Sequence, residues 1–303
     1  MKKVALPRAG GRAMQESLTG YLFIAPQMVG FLVFVLGPII AVFIFSLQSR
    51  NLLTGVATFH GVGNYLRMFT KDPLFNTTIA NSLVFSLGVV PLNLVLALSL
   101  ALGLSGRRTG TVTYRVIVFA PVVTSAVAWA VVWRFLLQGQ QGIVNHLLAL
   151  LDIHGPNWLR EPSWAMVSVI FTRVLKNVGM NVVIFLAAIT NLPREQMEAA
   201  RVDGAGAPTV LFRIKLPLLA PSILMVMILT VIGSLNVFDT IMLMTGGGPE
   251  NGTMVLVYYI YYNAFQFFDT GYASALAVVL FLVVLILTFL QWQMRRVVSY
   301  YES

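Results

Sequence analysis

The sequence predicts an all-α integral membrane fold with six transmembrane helices. Three observations carry it. Hydrophobic residues make up 58% of the chain and charged residues only 10%, against roughly 25% charged in a soluble domain. Mean hydropathy is +0.83. The apolar residues are gathered into six long continuous runs without sustained strand alternation, which argues against a β-barrel.

The six runs are Gly20–Leu47, Ile79–Leu104, Tyr114–Leu137, Trp164–Thr190, Leu218–Met244 and Tyr272–Met294. Each is long enough for the ~20 residues that cross a bilayer. The first follows Lys2, Lys3, Arg8 and Arg12, yet far exceeds the 7–15 apolar residues of a signal peptide, so it reads as an uncleaved anchor. A chain of 303 residues fits one membrane domain, here 20–294, with a polar segment at 1–19 and a tail at 295–303. No cysteine is present, which excludes disulfides and thiolate metal sites.

Orientation follows from the basic residues. With the N-terminus cytoplasmic, thirteen fall on the cytoplasmic side: Lys2, Lys3, Arg8, Arg12, Arg107, Arg108, Arg115, Arg194, Arg201, Arg213, Lys215, Arg295 and Arg296. Four fall outside: Arg50, Arg67, Lys71 and Arg160. This positive-inside asymmetry puts both termini in the cytoplasm. It also explains the net charge of +9 without nucleic acid. The outer loops are then Ser49–Thr78, Gln138–Ser163 and Thr245–Gly271. The second holds an apolar Ile143–Leu151 suited to a short interfacial helix, and the third opens on a glycine-rich turn, Thr245-Gly246-Gly247-Gly248-Pro249-Glu250-Asn251-Gly252.

One polar segment is confined between the fourth and fifth runs, at 192–216 on the cytoplasmic side. Pro193 suits a helix start, Arg194 to Asp203 can be helical, and Gly204 can take the left-handed conformation that ends a helix. Ala199 and Ala200 keep one face thin enough to seat in a cleft on a partner, and Pro208 can open a second turn. A glycine-capped surface hairpin would have the same composition.

Four ionisable side chains lie within the runs, where charge is expensive: Arg134, Arg173, Lys176 and Asp239. Arg134 lies near an outer end and can snorkel to the surface. Arg173, Lys176, Asn177 and Met180 share one helical face at i, i+3, i+4 and i+7, and Thr230, Ser234 and Val237 make a similar stripe on the fifth run. The expectation is a polar cavity between the two stripes, with helix packing by Ser and Thr, or an Arg173–Asp239 pair, as the competing readings. His60, His146 and His154 lie in or beside outer loops without metal-ligand spacing.

The spacing Glu198-Ala199-Ala200-Arg201-Val202-Asp203-Gly204, nine residues, Ile214-Lys215-Leu216-Pro217 resembles the signature loop of ABC importer permeases. Further similar segments are Phe59-His60-Gly61-Val62-Gly63-Asn64-Tyr65, Asn236-Val237-Phe238-Asp239 with Met244-Thr245-Gly246-Gly247-Gly248-Pro249, and Ala264-Phe265 with Gly271-Tyr272-Ala273-Ser274-Ala275. The chain is most similar to the first permease subunit of maltose and glycerol-3-phosphate importers. It departs from that pattern at Leu175, where a tryptophan is common, and at the charge of Arg173. The resemblance implies a type I importer fold in a bacterial or archaeal inner membrane. It implies a coupling helix through Glu198, Ala199, Ala200, Arg201, Asp203 and Gly204. It also implies a sugar site near mid-membrane at the positions of Arg173, Lys176, Asn177, Met180, Thr230, Ser234 and Val237. The implied partners are a second homologous permease, a dimeric ATPase carrying ATP and Mg, and an extracytoplasmic binding protein. No cofactor or catalytic residue is expected in this chain. A proton-coupled carrier using Asp239 is the alternative class; an intramembrane enzyme has no motif to support it.

Overall fold

The computed structural model describes residues 10–106 and 110–299. Lys2, Lys3, Arg8, Arg107 and Arg108, and the last four residues of the expected tail, lie outside them.

The expected helical fold is present. Helices α1 (Gly10–Phe31) and α2 (Gly37–Ser46) are joined by a π-helical turn at Leu32–Leu36, and their apolar stretch Thr19–Ser46 forms the first span. A short hairpin follows, with β1 (Gln48–Arg50) antiparallel to β2 (Ala57–Phe59), then α3 (Gly63–Thr70) and the second span, α4 (Pro73–Leu104). Helices α5 (Thr111–Val123) and α6 (Ala126–Leu136) occupy the third run, and α7 (Ile143–Ala149) is the short helix expected in the second outer loop. The fourth span is α8 (Pro162–Thr190); α9 (Arg194–Val202) lies in the polar segment after it. Then come α10 (Ala207–Val210), a π-helical turn at Leu211–Lys215, α11 (Leu216–Leu218) and α12 (Ala220–Leu235). Helices α13 (Asp239–Met244) and α14 (Leu256–Phe265) follow, and α15 (Thr270–Ser299) is the last span.

Two runs differ from expectation. The third is not one straight helix: α5 and α6 meet at 100°. Pro121 removes a donor near the end of α5, and Thr124 and Ser125 are extended, with ψ 141° and 137°. The fifth bends by 64° between Leu218 and Ala220 and stops at Leu235. Asn236, Val237 and Phe238 leave the helix, so the outer part of the expected span is the separate α13. Among the described residues, four helices are long and apolar enough to cross a membrane, or up to six if each bent pair counts as one span.

Packing centres on α4 and α8, with α12 against α4, α5 against α8 and α15 against α2, α12 and α14. Small residues set the closest approaches, as expected between membrane helices. A Cβ at Gly88 would stand 2.6 Å from Ile170 Cδ1, and one at Gly179 would stand 2.3 Å from Val118 O.

The end of the bundle that carries α3 and α14 is locked by polar contacts. Asp72 caps α4 by accepting from Leu74 N at 3.0 Å and Phe75 N at 3.2 Å. Its other oxygen accepts from Tyr259 at 2.7 Å and from Tyr272. Burial, and then the bond to Asp72, push the Tyr259 phenol up to about 12. Asn64 donates to Ser46 O at 2.8 Å and Gln48 O at 2.9 Å, tying α3 to the exit of the first span.

Candidate coupling surface and membrane polar sites

The polar segment after α8 folds as helix, glycine, helix. Pro193 is the residue before α9 and leads in with φ −61° and ψ 114°. The helix closes one residue earlier than expected, at Val202, with Asp203 as its cap. Gly204 has φ +82°. Its N–H donates to Arg201 O at 3.0 Å, and Ala205 N–H reaches back to Ala200 O at 2.9 Å, which satisfies the last carbonyls. A Cβ at Gly204 would have nothing within 4 Å, so the dihedral, not crowding, calls for glycine there. Glu198, Ala199, Arg201 and Asp203 are exposed and Ala200 half-buried. Val202, at 88% exposure, stands out as an apolar side chain on this polar surface. The segment can therefore offer a thin helix, both charge signs and an apolar contact to a partner.

Deeper in the chain, Arg173 projects from α8 toward the start of α13. Its Nη1 lies 3.5 Å from Asp239 Oδ1, and its Nη2 donates to Gly233 O at 3.2 Å. Asp239 is in reach only because α12 has already ended and α13 begins a new helix at that residue. Lys176, one turn further, takes a different partner. Its ammonium donates to Pro121 O at 2.5 Å, Val122 O at 3.4 Å and Thr124 O. The carbonyls of Val122 and Thr124 are left open by the break between α5 and α6, whereas Pro121 O also accepts from Thr124 N–H at 3.3 Å. Lys176 thus caps a helix end that the bend exposes.

The residues of the two expected stripes differ in exposure. Asn177 is half-buried and Met180 is 51% exposed, whereas Thr230, Ser234 and Val237 are buried. Thr230 accepts from Asn181 Nδ2 at 3.1 Å, and the same amide donates to Asn93 Oδ1 at 2.6 Å. Ser234 and Ser86 share a 2.7 Å hydroxyl bond. Two polar rungs therefore tie α12 to α4, and α8 joins one of them. Asn93, Asn181 and Ser86 were not singled out from the sequence. Asn93, a lone polar residue in the apolar stretch after Ser86, was the available signal.

A cavity of about 930 Å³ opens between α6, the loop that follows it and α13. Arg134, Gln138, Gln140, Gln141, Arg160 and Thr245 are among its lining residues. Arg134 donates to Leu243 O at 3.2 Å, so it holds the end of α13 rather than only snorkelling. Among the described residues, no group of three His, Cys, Asp or Glu side chains could hold a metal ion.

Residues 93–299 match the family described as binding-protein-dependent transport system inner membrane component. The chain belongs to this family. Relatives of this permease include the lactose transport system permease protein LacF of Rhizobium radiobacter, 33% identical over 92% of this chain and 94% of that one. The sn-glycerol-3-phosphate transport system permease protein UgpA of Yersinia enterocolitica is 32% identical over 92% of this chain and 95% of its own. In fold, the permease is similar to a chain of a bacterial alginate ABC transporter crystallised with its alginate pentasaccharide-bound periplasmic protein. The TM-score is 0.83 at 23% identity, over 95% of this chain and 98% of that one.

The remaining segments of the resemblance fall at β2 and α3, at α13, and at the end of α14 and the start of α15. Gly63 packs on His60, whose ring a Cβ there would overlap at 2.0 Å. Gly271 sits 2.1 Å, by the same measure, from Gln48 O, where β1 crosses the start of α15. Gly246 and Gly247 take positive φ where α13 ends.

Proposed function

We propose that this permease subunit forms half of the pathway of an ATP-driven, binding-protein-dependent importer of a sugar or sugar-like solute. The observation that carries the reading is the exposed unit α9–Gly204–α10. Its side chains Glu198, Arg201 and Asp203 make no hydrogen bond or ion pair among the described residues, within a chain of this family. A charged, solvent-facing helix beneath a membrane domain is a surface built for a soluble partner. In this reading that partner is a dimeric ATPase, which binds ATP and Mg while this chain carries no catalytic group of its own. A second homologous permease completes the pore and an extracytoplasmic binding protein delivers the solute. ATP-driven closure pushes on α9 and rocks the spans as rigid bodies.

Sugar-type solutes are favoured by the relatives, which include lactose and glycerol-3-phosphate permeases. On the pathway itself, Arg173, Lys176, Asn177 and Met180 remain the proposed lining of α8, with Thr230, Ser234, Val237 and Asp239 behind them setting helix spacing. A phosphorylated polyol is the second reading, favoured by the basic side chains of α8. Asp239 as a proton carrier is disfavoured by its ion pair with Arg173.

Orientation in the inner membrane, with both termini cytoplasmic, is testable by labelling, since the chain has no native cysteine. In intact cells an impermeant maleimide should modify a cysteine at Asn64 and spare one at Arg201. The opposite pattern would put α9 outside and end the coupling role.

A further inference from the structure

The outer cavity suggests which sugars this pathway accepts. We infer that the recess between α6 and α13 is a receiving site for a sugar bearing an anionic group, carboxylate or phosphate, held by Arg134 and Arg160. The inference deepens the importer reading and rests on it.

The recess is large enough for a small ligand, since such sites commonly span about 300–1,000 Å³ and this one encloses about 930 Å³. Its charge is one-signed. Among the described residues that line it there are two arginines and no Asp or Glu. Glu161, the adjacent carboxylate in sequence, is turned to accept Asn157 N–H at 2.7 Å. Arg160 makes no side-chain hydrogen bond or ion pair among the described residues, and Arg134 has a single bond, to Leu243 O at 3.2 Å. Two guanidinium groups with most donors unengaged are suited to the planar, forked geometry of a carboxylate or to a phosphate.

The rest of the lining fits the sugar body. Gln138, Gln140 and Gln141 each offer donors and an acceptor for hydroxyl groups. Phe135 is the single aromatic ring among the lining residues, so the recess lacks the stacked rings that would favour a neutral pyranose by its C–H face. Its position is also apt. One wall is α13, whose start is held by Arg173 through Asp239 and whose end is held by Arg134 through Leu243 O. A ligand on Arg134 would therefore sit directly against α13, which also packs on α8.

The test is equilibrium dialysis of the full-length chain in phosphatidylcholine nanodiscs, with labelled D-galacturonate and D-galactose as probes. Galacturonate should bind at least tenfold more tightly than galactose, and the margin should shrink as salt is raised. Arg134→Gln with Arg160→Gln should abolish the margin, while Lys71→Gln, an outer cation away from the recess, should leave it intact. Equal binding of the two sugars, binding of neither, or a margin that survives the double substitution would overturn the site. A parallel set of nanodiscs containing phosphatidylglycerol tests the other source of the anion: enrichment of that lipid by the chain, lost on the double substitution and without binding of galacturonate, would make the recess a lipid headgroup site and overturn the proposal. No ATPase is involved in this measurement, so its failure alongside intact ATP-driven uptake would remove the receiving site and leave the importer reading standing.

Discussion

Breaking the Arg173–Asp239 pair should reveal how charge is tolerated at this depth. The two side chains are only 16% and 28% exposed and their charged atoms lie 3.5 Å apart. At that separation and an effective dielectric of about 20, their attraction is about 5 kcal/mol. Most of this offsets the hydration both groups give up. Removing one partner leaves the other poorly solvated, which commonly costs about 3–5 kcal/mol in a buried pair. Arg173→Ala should sit at the low end of that range, because Asp239 keeps some solvent and stands at the start of α13. Asp239→Ala should cost no less, because Arg173 would retain only Gly233 O and its Nε has no partner. The double substitution removes both stranded charges and should be less destabilising than the two single losses added together, by about 1–3 kcal/mol. The assay is reversible unfolding of the purified chain in mixed micelles with increasing SDS, read by near-ultraviolet circular dichroism. Additivity of the single effects within about 0.5 kcal/mol would refute a direct pair, and a harmless Arg173→Ala would refute the claim that either charge depends on the other.

Three further outcomes are expected. Gly204→Val forces a branched side chain to φ +82° at a local cost of about 1–2 kcal/mol; with Glu198→Lys, it should leave membrane insertion unchanged but lose ATPase co-purification and uptake together, and retention of both activities would make the segment a plain hairpin. Lys176→Met strands the carbonyls of Val122 and Thr124, since Pro121 O is also reached by Thr124 N–H; the loss should be about 1–3 kcal/mol in the same unfolding assay, partly restored by Lys176→Arg, and an unchanged midpoint would show that water caps the break equally well. Gly179→Ala should cost about 1–3 kcal/mol by forcing α5 from α8, whereas Gly233→Ala, with nothing within 4 Å of its Cβ, should be harmless; equal effects at the two sites would contradict the packing described.

How far the sequence could be read depended on what each residue's neighbours were. The spans that run straight, such as Pro73–Leu104 and Pro162–Thr190, follow from composition and length alone. The broken ones do not, because hydropathy records how apolar a run is and not its direction. Pro121 marked the weak point of the third run, but a proline inside a membrane helix does not by itself specify a 100° turn. The glycine cap of α9 was legible because it depends on a local dihedral at Gly204. The pairing of Arg173 with Asp239 was legible as one of the competing readings, but the partners of Lys176 were not, because they are carbonyls at the break between α5 and α6. The stripe of Thr230 and Ser234 was visible, but not that Asn181 and Ser86 stand opposite it. Helix α14, at ten residues, is too short to be read as a span and so was absorbed into an outer loop.

The central claim is that energy enters through α9 and solute through the opposite face. The direct measurement is uptake by proteoliposomes containing this permease with its ATPase and second permease. ATP is supplied on the side where a cysteine at Arg201 is labelled, and binding protein with sugar on the side where one at Asn64 is labelled. The account predicts accumulation that needs both components on those sides and stops with Glu198→Lys. Accumulation driven by a proton gradient without ATP, or ATP-driven uptake indifferent to Glu198 and Gly204, would contradict it.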